Sequence, residues 1–318
     1  MTAIAETGTV GGADAALDPD AAAYLDLLKS KQMVPIERLS PQEARDRHEA
    51  VAAAIPEALE PVAEIADGMV GPLPLRRYRP ARSTGTTVFV HGGGWVTGTI
   101  ESYDRFCRVL ANRSSTTVVS IGYDLSPEVR HPVAIEQVLA ALPEIARDAG
   151  GRVALAGDSA GAYLCAQVAA RLGPACRETI AGLVLLYPII DPALDTRSAT
   201  TRARGYRLET EGLRWYWRHY LATEGVPASL YDADLSGFPP TLLLAAGYDP
   251  LHDEGERFAG LLQRAGVRVL YRDYPGQIHG FMRIAHAIRA ADGAYEEVAG
   301  FIRGLFGQAD RRGHQSAG

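Results

Sequence analysis

The five residues Gly157–Gly161 carry a serine in the pattern G-x-S-x-G, which can present the hydroxyl of Ser159 as a nucleophile. The apolar run Val153–Ala156 before them predicts a buried strand, and Ala162–Leu172 after them predicts a helix. A serine on such a turn is held in a strained conformation, with the N-terminus of the next helix aimed at nearby negative charge. Taken alone, the pentapeptide also fits an ordinary strand-to-helix turn.

A second segment, His91–Gly94, places three consecutive glycines after the apolar run Thr86–Val90. Such glycines let the backbone approach a substrate and point N–H groups at a developing negative oxygen without Cβ atoms in the way. The segment alone also fits a flexible turn or a phosphate cradle, although it matches neither G-x-x-x-x-G-K-[ST] nor G-x-G-x-x-G. Both segments together, each after a strand, favour a serine nucleophile with an oxyanion-binding loop.

An acid and a histidine should follow the serine along the chain, in that order. Asp249 comes directly after the apolar run 241–248, and His279 lies in the loop after the run 267–272. Because the carboxyl ends of parallel strands meet at one edge of a sheet, both side chains can converge on Ser159.

Other acids and histidines are weaker candidates. Asp253 and Glu254 fall where a helix has begun and are interpreted as solvated first-turn acids. His286 lies in a stretch interpreted as helical, and His252 and His219 are interpreted as surface or cap histidines.

These motifs jointly resemble those of the bacterial hormone-sensitive-lipase-like esterases, a family of the α/β-hydrolase fold. The resemblance covers roughly residues 65–305. Its further segments are the paired first strands at Gly71–Pro80, Y-D-L-S-P-E at Tyr123–Glu128, H-P-V-A at His131–Ala134, D-P-L-H-D-E-G at Asp249–Gly255 and H-G-F at His279–Phe281. The chain departs from the family pattern at Asp124, Ser126, Ala162 and Tyr163, which bears on pocket shape and removes no reacting group.

The resemblance implies an α/β fold with a mostly parallel central sheet, helices on both faces and a helical cap. It implies Ser159 as nucleophile, His279 as base and Asp249 as the carboxylate that orients the base. The implied oxyanion hole consists of three backbone amides, those of Gly93, Gly94 and Ala160. Neither a metal nor an organic cofactor is implied.

Residues beside these motifs receive supporting roles. Support of the motifs is expected from His91, Gly92, Asp158 and Glu128. Asp158 is interpreted as a structural hydrogen-bonding residue, while Glu128 either braces the H-G-G-G loop or is an acid at a helix start. The pocket wall is predicted from the aromatic residues Trp95, Tyr163, Trp215 and Phe281, with packing inside the cap as the alternative for Trp215.

The composition fits one large α/β domain. With 318 residues, 47% of them hydrophobic, the chain can bury a sizeable core, and its net charge of -6 offers no basic surface for nucleic acid. The cysteines Cys107, Cys165 and Cys176 lack metal-ligand spacing and are too few for a disulfide framework, which suits a reducing cytoplasm. Neither a signal peptide nor a membrane span is predicted, so a cytoplasmic location is expected.

The chain is expected to divide into five regions. Residues 1–17 form a disordered N-terminus, 18–60 the N-terminal cap helices, 191–237 a cap insertion and 309–318 a flexible tail. The core consists of two parts, 65–190 and 238–308. Asp18 and Ser40 are predicted to cap two helices, and Pro143 to interrupt the helical region 133–149. The face of Tyr24, Leu25 and Leu28 is expected to pack against the helix around Trp215, with dimerisation as the alternative.

The predicted function is hydrolysis of small to medium acyl esters through an acyl-enzyme. The expected partner is a small-molecule ester, without nucleic acid or a membrane span, and a homodimer is left open. Two alternatives remain. One is a lyase or cyclase using the same pocket. The other is a binding protein like the plant gibberellin receptors, which resemble this family but lack the histidine that His279 supplies here.

Overall fold

The computed structural model of the chain describes residues 8–9, 15–56, 58–223 and 227–307. The tail 309–318 and most of 1–17, for which disorder was predicted, lie outside the described residues. Within 1–17, Gly8–Thr9 form a short strand, and Leu17 packs against the core.

Apolar runs rich in valine and leucine form the centre of a sheet that has nine strands in the described part of the chain. In chain order the strands are β1 (Gly8–Thr9), β2 (Glu64–Val70), β3 (Leu73–Arg79), β4 (Thr86–Val90), β5 (Thr117–Ile121), β6 (Val153–Asp158), β7 (Ile180–Leu186), β8 (Thr241–Tyr248) and β9 (Val269–Ile278). Across the sheet the order is β1-β9-β8-β7-β6-β4-β5-β3-β2. Strand β3 runs antiparallel to both of its neighbours and the other adjacent pairs are parallel, which confirms the predicted mostly parallel sheet.

Burial explains which strands the sequence pattern finds. The central strands are buried and mostly apolar, so the apolar runs predicted as strands, at 86–91, 117–123, 152–157, 182–187, 241–248 and 267–272, all form strands. Strand β9 extends beyond its run to Ile278. The pair of first strands was placed too late: Gly71–Pro80 contains only β3, and its partner β2 begins at Glu64. Strand β2 lies at the edge and is largely exposed, so its sequence has no apolar run.

Helices cover both faces of this sheet. They are α1 (Pro19–Ser30), α2 (Pro41–Ala53), α3 (Asp104–Ser114), α4 (Val133–Asp148), α5 (Ala160–Leu172), α6 (Cys176–Thr179), α7 (Arg197–Thr201), α8 (Thr210–Tyr220), α9 (His252–Arg264) and α10 (Ala290–Gly307). Alternate side chains of β4 enter different cores: Val88 and Val90 pack with α4, α5 and α9, whereas Phe89 packs with α3 and α10. Among the described residues, no helix is both long and apolar enough to span a membrane.

Local helix signals agree with the structure except at one proline. The side chain of Asp18 accepts the N–H of Asp20 at 2.9 Å, and Ser40 forms a complete capping box with Glu43, as predicted. Cys107 and Cys165 are buried in α3 and α5. The predicted interruption at Pro143 is wrong, because α4 continues through it. The apolar face of α4 is buried on the sheet, and this packing outweighs the one lost backbone hydrogen bond.

The partner of the first helix also differs from the expectation. Tyr24 and Leu25 pack into the core of the sheet domain, in one cluster with Tyr274 and Phe281. Trp215 of α8 packs instead against Ala44 of α2. Helix α2, rather than α1, is therefore the neighbour of the aromatic helix.

Candidate active site

Ser159 sits at the tip of the turn between β6 and α5. Its φ of 53° and ψ of -119° are strained for a residue with a Cβ atom, and its N–H is bonded to the carbonyl of Leu186 at 2.8 Å. The flanking glycines are required by space. A Cβ on Gly157 would lie 2.5 Å from the backbone of Gly161, and one on Gly161 would lie 2.0 Å from the carbonyl of Val90. The pentapeptide therefore forms a nucleophile elbow geometry.

Asp249 and His279 meet this serine at the same sheet edge. Asp249 follows β8 and His279 follows β9, and both side chains are buried. His279 Nε2 lies 3.0 Å from Ser159 Oγ, and His279 Nδ1 lies 2.6 Å from Asp249 Oδ2. The other oxygen of Asp249 accepts the N–H of Leu251 at 2.9 Å. A neutral imidazole that donates from Nδ1 to the carboxylate has Nε2 free to accept the serine proton.

The rejected acids occupy structural positions on α9. The carboxylate of Asp253 accepts the N–H of Ser198 at 2.8 Å. Glu254 is fully buried and accepts the N–H of Ile190 at 2.9 Å, so its interpretation as a solvated acid is wrong. Burial raises the pKa of Glu254 to about 8. The carboxyl group of Glu254 therefore links α9 by hydrogen bonds to the segment that follows β7.

Two of the rejected histidines are bonded to groups outside the proposed triad, and the third, His286, lies on the wall of the cavity that Ser159 faces. His252 is placed between Asp253 and Asp273, at 3.1 and 3.2 Å. Burial opposes its charge, but hydrogen bonds to the two carboxylates raise the pKa of His252 to about 9. His219 Nδ1 is 2.9 Å from the carbonyl of Trp215. His286 lies in an exposed turn and not in a helix.

One described group has the spacing of a metal site. His252, Asp253 and Glu256 place their ligand atoms within 4.8 Å of one another. All three lie on α9, and the two ring nitrogens of His252 already face carboxylates.

The glycine loop, residues 91–98, holds a conformation that excludes side chains. Gly93 and Gly94 have φ angles of 105° and 60°. A Cβ on Gly94 would lie 2.0 Å from the ring of Tyr216, and one on Gly93 would lie 2.2 Å from the carbonyl of Thr97. Across the cavity, Ala160 is the first residue of α5, so its N–H has no acceptor within the helix.

One buried polar residue, Asp158, joins this loop to the elbow, and a second, His91, is bonded within the loop. Asp158 accepts the N–H of Gly92 at 2.7 Å and the hydroxyl of Tyr103 at 3.1 Å. Burial raises its pKa. The ring of His91 stacks on Tyr123 with centroids 4.4 Å apart, and its Nδ1 lies 2.8 Å from the carbonyl of Gly92. Burial lowers the pKa of His91 to about 4, so this histidine is neutral near neutral pH.

Glu128 contacts the glycine loop indirectly, through Arg45, which no sequence motif marks. It lies in a turn, and its carboxylate accepts two hydrogen bonds from Arg45 of α2, at 2.5 and 2.9 Å. Arg45 also donates to the carbonyls of Val96 and Ser126, each at 2.9 Å. The contact joins residues 83 positions apart, which no local pattern indicates.

A cavity of about 1070 Å³ opens onto Ser159 and His279. Helices α1, α2 and α8 and the segments before α8 and after β9 contribute to its wall, with Tyr24, Leu28, His48, Arg207, Tyr216 and Arg283. Arg207 also donates to the carbonyl of His279 at 2.7 Å. Successive residues of a helix point about 100° apart, so Tyr216 faces the cavity while Trp215 beside it is buried.

The predicted pocket wall is wrong. Trp95, Tyr163 and Phe281 are 0% exposed and Trp215 is 3% exposed, and all four pack inside cores. Trp95 stacks on Tyr220 with centroids 4.1 Å apart. These large rings fill the space between elements, and the cavity wall is formed by residues that no motif marks.

Comparison with known proteins agrees with this geometry. A family described as alpha/beta hydrolase fold matches residues 87–283. The ethyl acetate hydrolase of Pseudomonas putida is 35% identical over 308 residues, covering 87% of this chain and 95% of that protein. The carboxylic ester hydrolase LipN of Mycobacterium tuberculosis is 36% identical over 236 residues, covering 68% of this chain and 63% of that protein.

Solved structures of esterases are also similar to this chain, over a larger share of its length. The hyperthermophilic esterase of the archaeon Pyrobaculum calidifontis superposes with a TM-score of 0.86 at 32% identity, covering 92% of this chain and 99% of that one. An ester hydrolase from the metagenome of Lake Arreo, complexed with a bipyridine phosphonate derivative, has a TM-score of 0.85 at 33% identity, with the same coverage. The chain therefore belongs to the hormone-sensitive-lipase-like esterases of the α/β-hydrolase fold and is a carboxylic ester hydrolase.

Proposed function

We propose that this protein hydrolyses small to medium acyl esters through an acyl-enzyme on Ser159. The observation that carries the proposal is the continuous contact from Ser159 Oγ to His279 and on to Asp249, at 3.0 and 2.6 Å. His279 takes the serine proton as the oxygen attacks the acyl carbonyl, and Asp249 holds the imidazole in the required tautomer and stabilises the imidazolium. Water then releases the acyl group, with His279 again as base.

The oxyanion of the tetrahedral intermediate binds three backbone amides, those of Gly93, Gly94 and Ala160. The positive φ angles of the two glycines and the N-terminal position of Ala160 in α5 support this assignment. Asp158 holds the glycine loop against the elbow, His91 supports that loop from within, and Glu128 contributes through Arg45.

We further propose that residues 18–60 and 191–237 form a cap over the site. Residues of α1, α2 and α8 line the cavity, which supports a substrate enclosed between the cap and the sheet. The cavity volume suits a small or medium ester. The names of relatives, an ethyl acetate hydrolase and acetyl esterases, agree with short acyl groups. The three free, buried cysteines support a cytoplasmic location.

The test is hydrolysis of p-nitrophenyl acetate and butyrate by the wild type and by Ser159→Ala. Loss of the nucleophile should lower kcat by about 10⁶-fold, because the parts of a triad act as one unit. An organophosphonate should label Ser159 alone. Labelling of another serine, or wild-type turnover by the variant, would contradict the assignment. A wild type that hydrolyses neither ester would point to the lyase or binding alternatives.

A further inference from the structure

His48 of α2 connects two groups that lie on different sides of the site. Its Nε2 is 3.1 Å from Arg283 Nη2, and its Nδ1 is 3.2 Å from Thr97 Oγ1. A guanidinium group only donates hydrogen bonds, so Nε2 must accept and the proton of the neutral ring is on Nδ1. Burial, together with the charge of Arg283, holds the pKa of His48 well below its usual value, which keeps the ring neutral.

This tautomer gives the contacts a direction. His48 Nδ1 donates to the Thr97 hydroxyl, and that hydroxyl donates to the carbonyl of Gly93 at 3.0 Å. The series starts at the positive charge of Arg283, and each middle group accepts one of its bonds and donates the next, while the Thr97 hydroxyl also contacts the hydroxyl of Tyr216. Hydrogen bonds arranged in this way polarise one another in a buried site.

The carbonyl of Gly93 shares one planar peptide group with the N–H of Gly94. In a trans peptide these two groups point in opposite directions, so the donors that hold the carbonyl also set the direction of the N–H. The backbone N–H groups of Thr97 and Val96 contribute two further bonds to this carbonyl, at 2.9 and 3.2 Å. Electron density drawn toward the carbonyl oxygen makes the Gly94 N–H a stronger donor.

Arg283 is itself held in place from the other side of the loop. Its guanidinium lies 4.0 Å from the centre of the Tyr103 ring, and the Tyr103 hydroxyl donates to Asp158 at 3.1 Å. Asp158 in turn accepts the N–H of Gly92. The contacts from Arg283 therefore reach the glycine loop twice, at Gly92 and at Gly93.

We propose that His48 and Thr97 are positioning residues that transmit the charge of Arg283 to the Gly93–Gly94 peptide and so aim and strengthen the Gly94 amide as an oxyanion donor. This rests on the proposed function, which places Gly94 in the oxyanion hole. The oxyanion exists only in the transition state and the intermediate, so the link acts on kcat and leaves KM unchanged.

The test compares Thr97→Val with Thr97→Ser on p-nitrophenyl butyrate. Valine keeps the shape of this buried side chain and removes the hydroxyl, whereas serine keeps the hydroxyl. Loss of a whole oxyanion donor costs about 10²–10³ in kcat, so a weakened donor should cost about tenfold. Thr97→Val should therefore lower kcat about tenfold at unchanged KM, and Thr97→Ser should restore it to within about twofold.

Thr99→Val is the matched control. It removes the hydrogen bond from Thr99 to Glu49 of α2, at 3.1 Å, without touching the carbonyl of Gly93, so its kcat should equal that of the wild type. His48→Phe keeps a ring against Tyr103 and lacks both nitrogens. Since His48→Phe and Thr97→Val break the same link, the double variant should lose no more than the more affected single variant. Titration of Ser159 with an organophosphonate gives kcat per folded site for every variant.

Wild-type kcat in Thr97→Val would overturn the proposal, as would an equal loss in Thr97→Ser or Thr99→Val, or additive losses in the double variant. A loss expressed in KM alone would also overturn it. These failures differ from failure of the proposed function, which would show as no ester hydrolysis by the wild type or as full activity of Ser159→Ala.

Discussion

The sheet edge and the glycine loop hold their functional groups in different ways. Ser159, Asp249 and His279 each follow a strand of the parallel sheet, so the strand ends bring them together. The glycine loop also follows a strand, but side chains from α2 hold it: Arg45 binds the carbonyl of Val96, and His48 reaches the loop through a threonine. The groups proposed to react thus depend on the order of strands, whereas the groups proposed to receive the oxyanion depend on a helix outside the sheet.

The largest effect that separates the two regions is expected at the sheet edge. Asp249→Asn should lower kcat about 10³–10⁴-fold, because an asparagine leaves the imidazole in the wrong tautomer. Asp253→Asn should cost far less, since that carboxylate accepts the N–H of Ser198 and does not touch His279. Steady-state kinetics on p-nitrophenyl butyrate measures both, and the reverse ranking would show that Asp253 is the catalytic acid.

A smaller effect is expected from the brace on the glycine loop. Arg45→Met removes the bonds to the carbonyl of Val96 in the glycine loop and to that of Ser126, and should lower kcat about tenfold, as a loosened oxyanion donor loses part of its contribution. Glu128→Gln should change kcat less than twofold, because its side chain is 62% exposed and exposed ion pairs contribute little. A larger loss of kcat in Glu128→Gln than in Arg45→Met would show that the carboxylate of Glu128, and not the guanidinium of Arg45, is the group that holds the glycine loop.

Substrate preference should respond to the cavity wall and not to the buried aromatic cluster. Tyr216→Ala opens space beside Gly94 and should raise the ratio of kcat/KM for hexanoate over acetate esters several-fold. Trp95→Phe should leave this ratio unchanged and lower the free energy of unfolding by about 1–3 kcal/mol, through a cavity in the core. A changed ratio in Trp95→Phe alone would restore Trp95 as a pocket residue.

The titration of His91 is expected to change activity at neutral pH least of all. Its effect is on the free energy of unfolding at acid pH. Its folded-state pKa of about 4 lies below the unfolded value of 6.5, so the unfolded chain binds the proton more tightly. The neutral ring therefore contributes stability that is present above pH 6.5 and is lost as pH falls through 4, about 3 kcal/mol in total. Urea unfolding between pH 6.5 and 4 should show a smaller loss of unfolding free energy in His91→Asn than in the wild type. The side-chain amide of the asparagine can still donate to the carbonyl of Gly92. Equal slopes in the two proteins would show that His91 is not buried neutral.

The sequence was informative where one local pattern decides one contact. The elbow, the strand ends that carry Asp249 and His279, and the caps at Asp18 and Ser40 each follow from a few neighbouring residues. The pocket wall depended on which face of α8 points inward, and adjacent residues such as Trp215 and Tyr216 look alike in a sequence. Glu254 looked solvated because its backbone partners lie 63 and 64 positions away. Contacts of that length are set by the packing of whole elements.

The bond between His48 and Arg283 joins residues 235 positions apart. Such a non-local contact needs both α2 and the segment after β9 to be in place, so we expect it to form late in folding. Refolding should therefore restore the tryptophan fluorescence of the packed Trp95–Trp217 pair before it restores ester hydrolysis. On the proposed mechanism, ester hydrolysis needs His279 after β9 as well as the glycine loop, so we expect activity to appear in the last steps of folding and to be absent from a molecule that lacks β9.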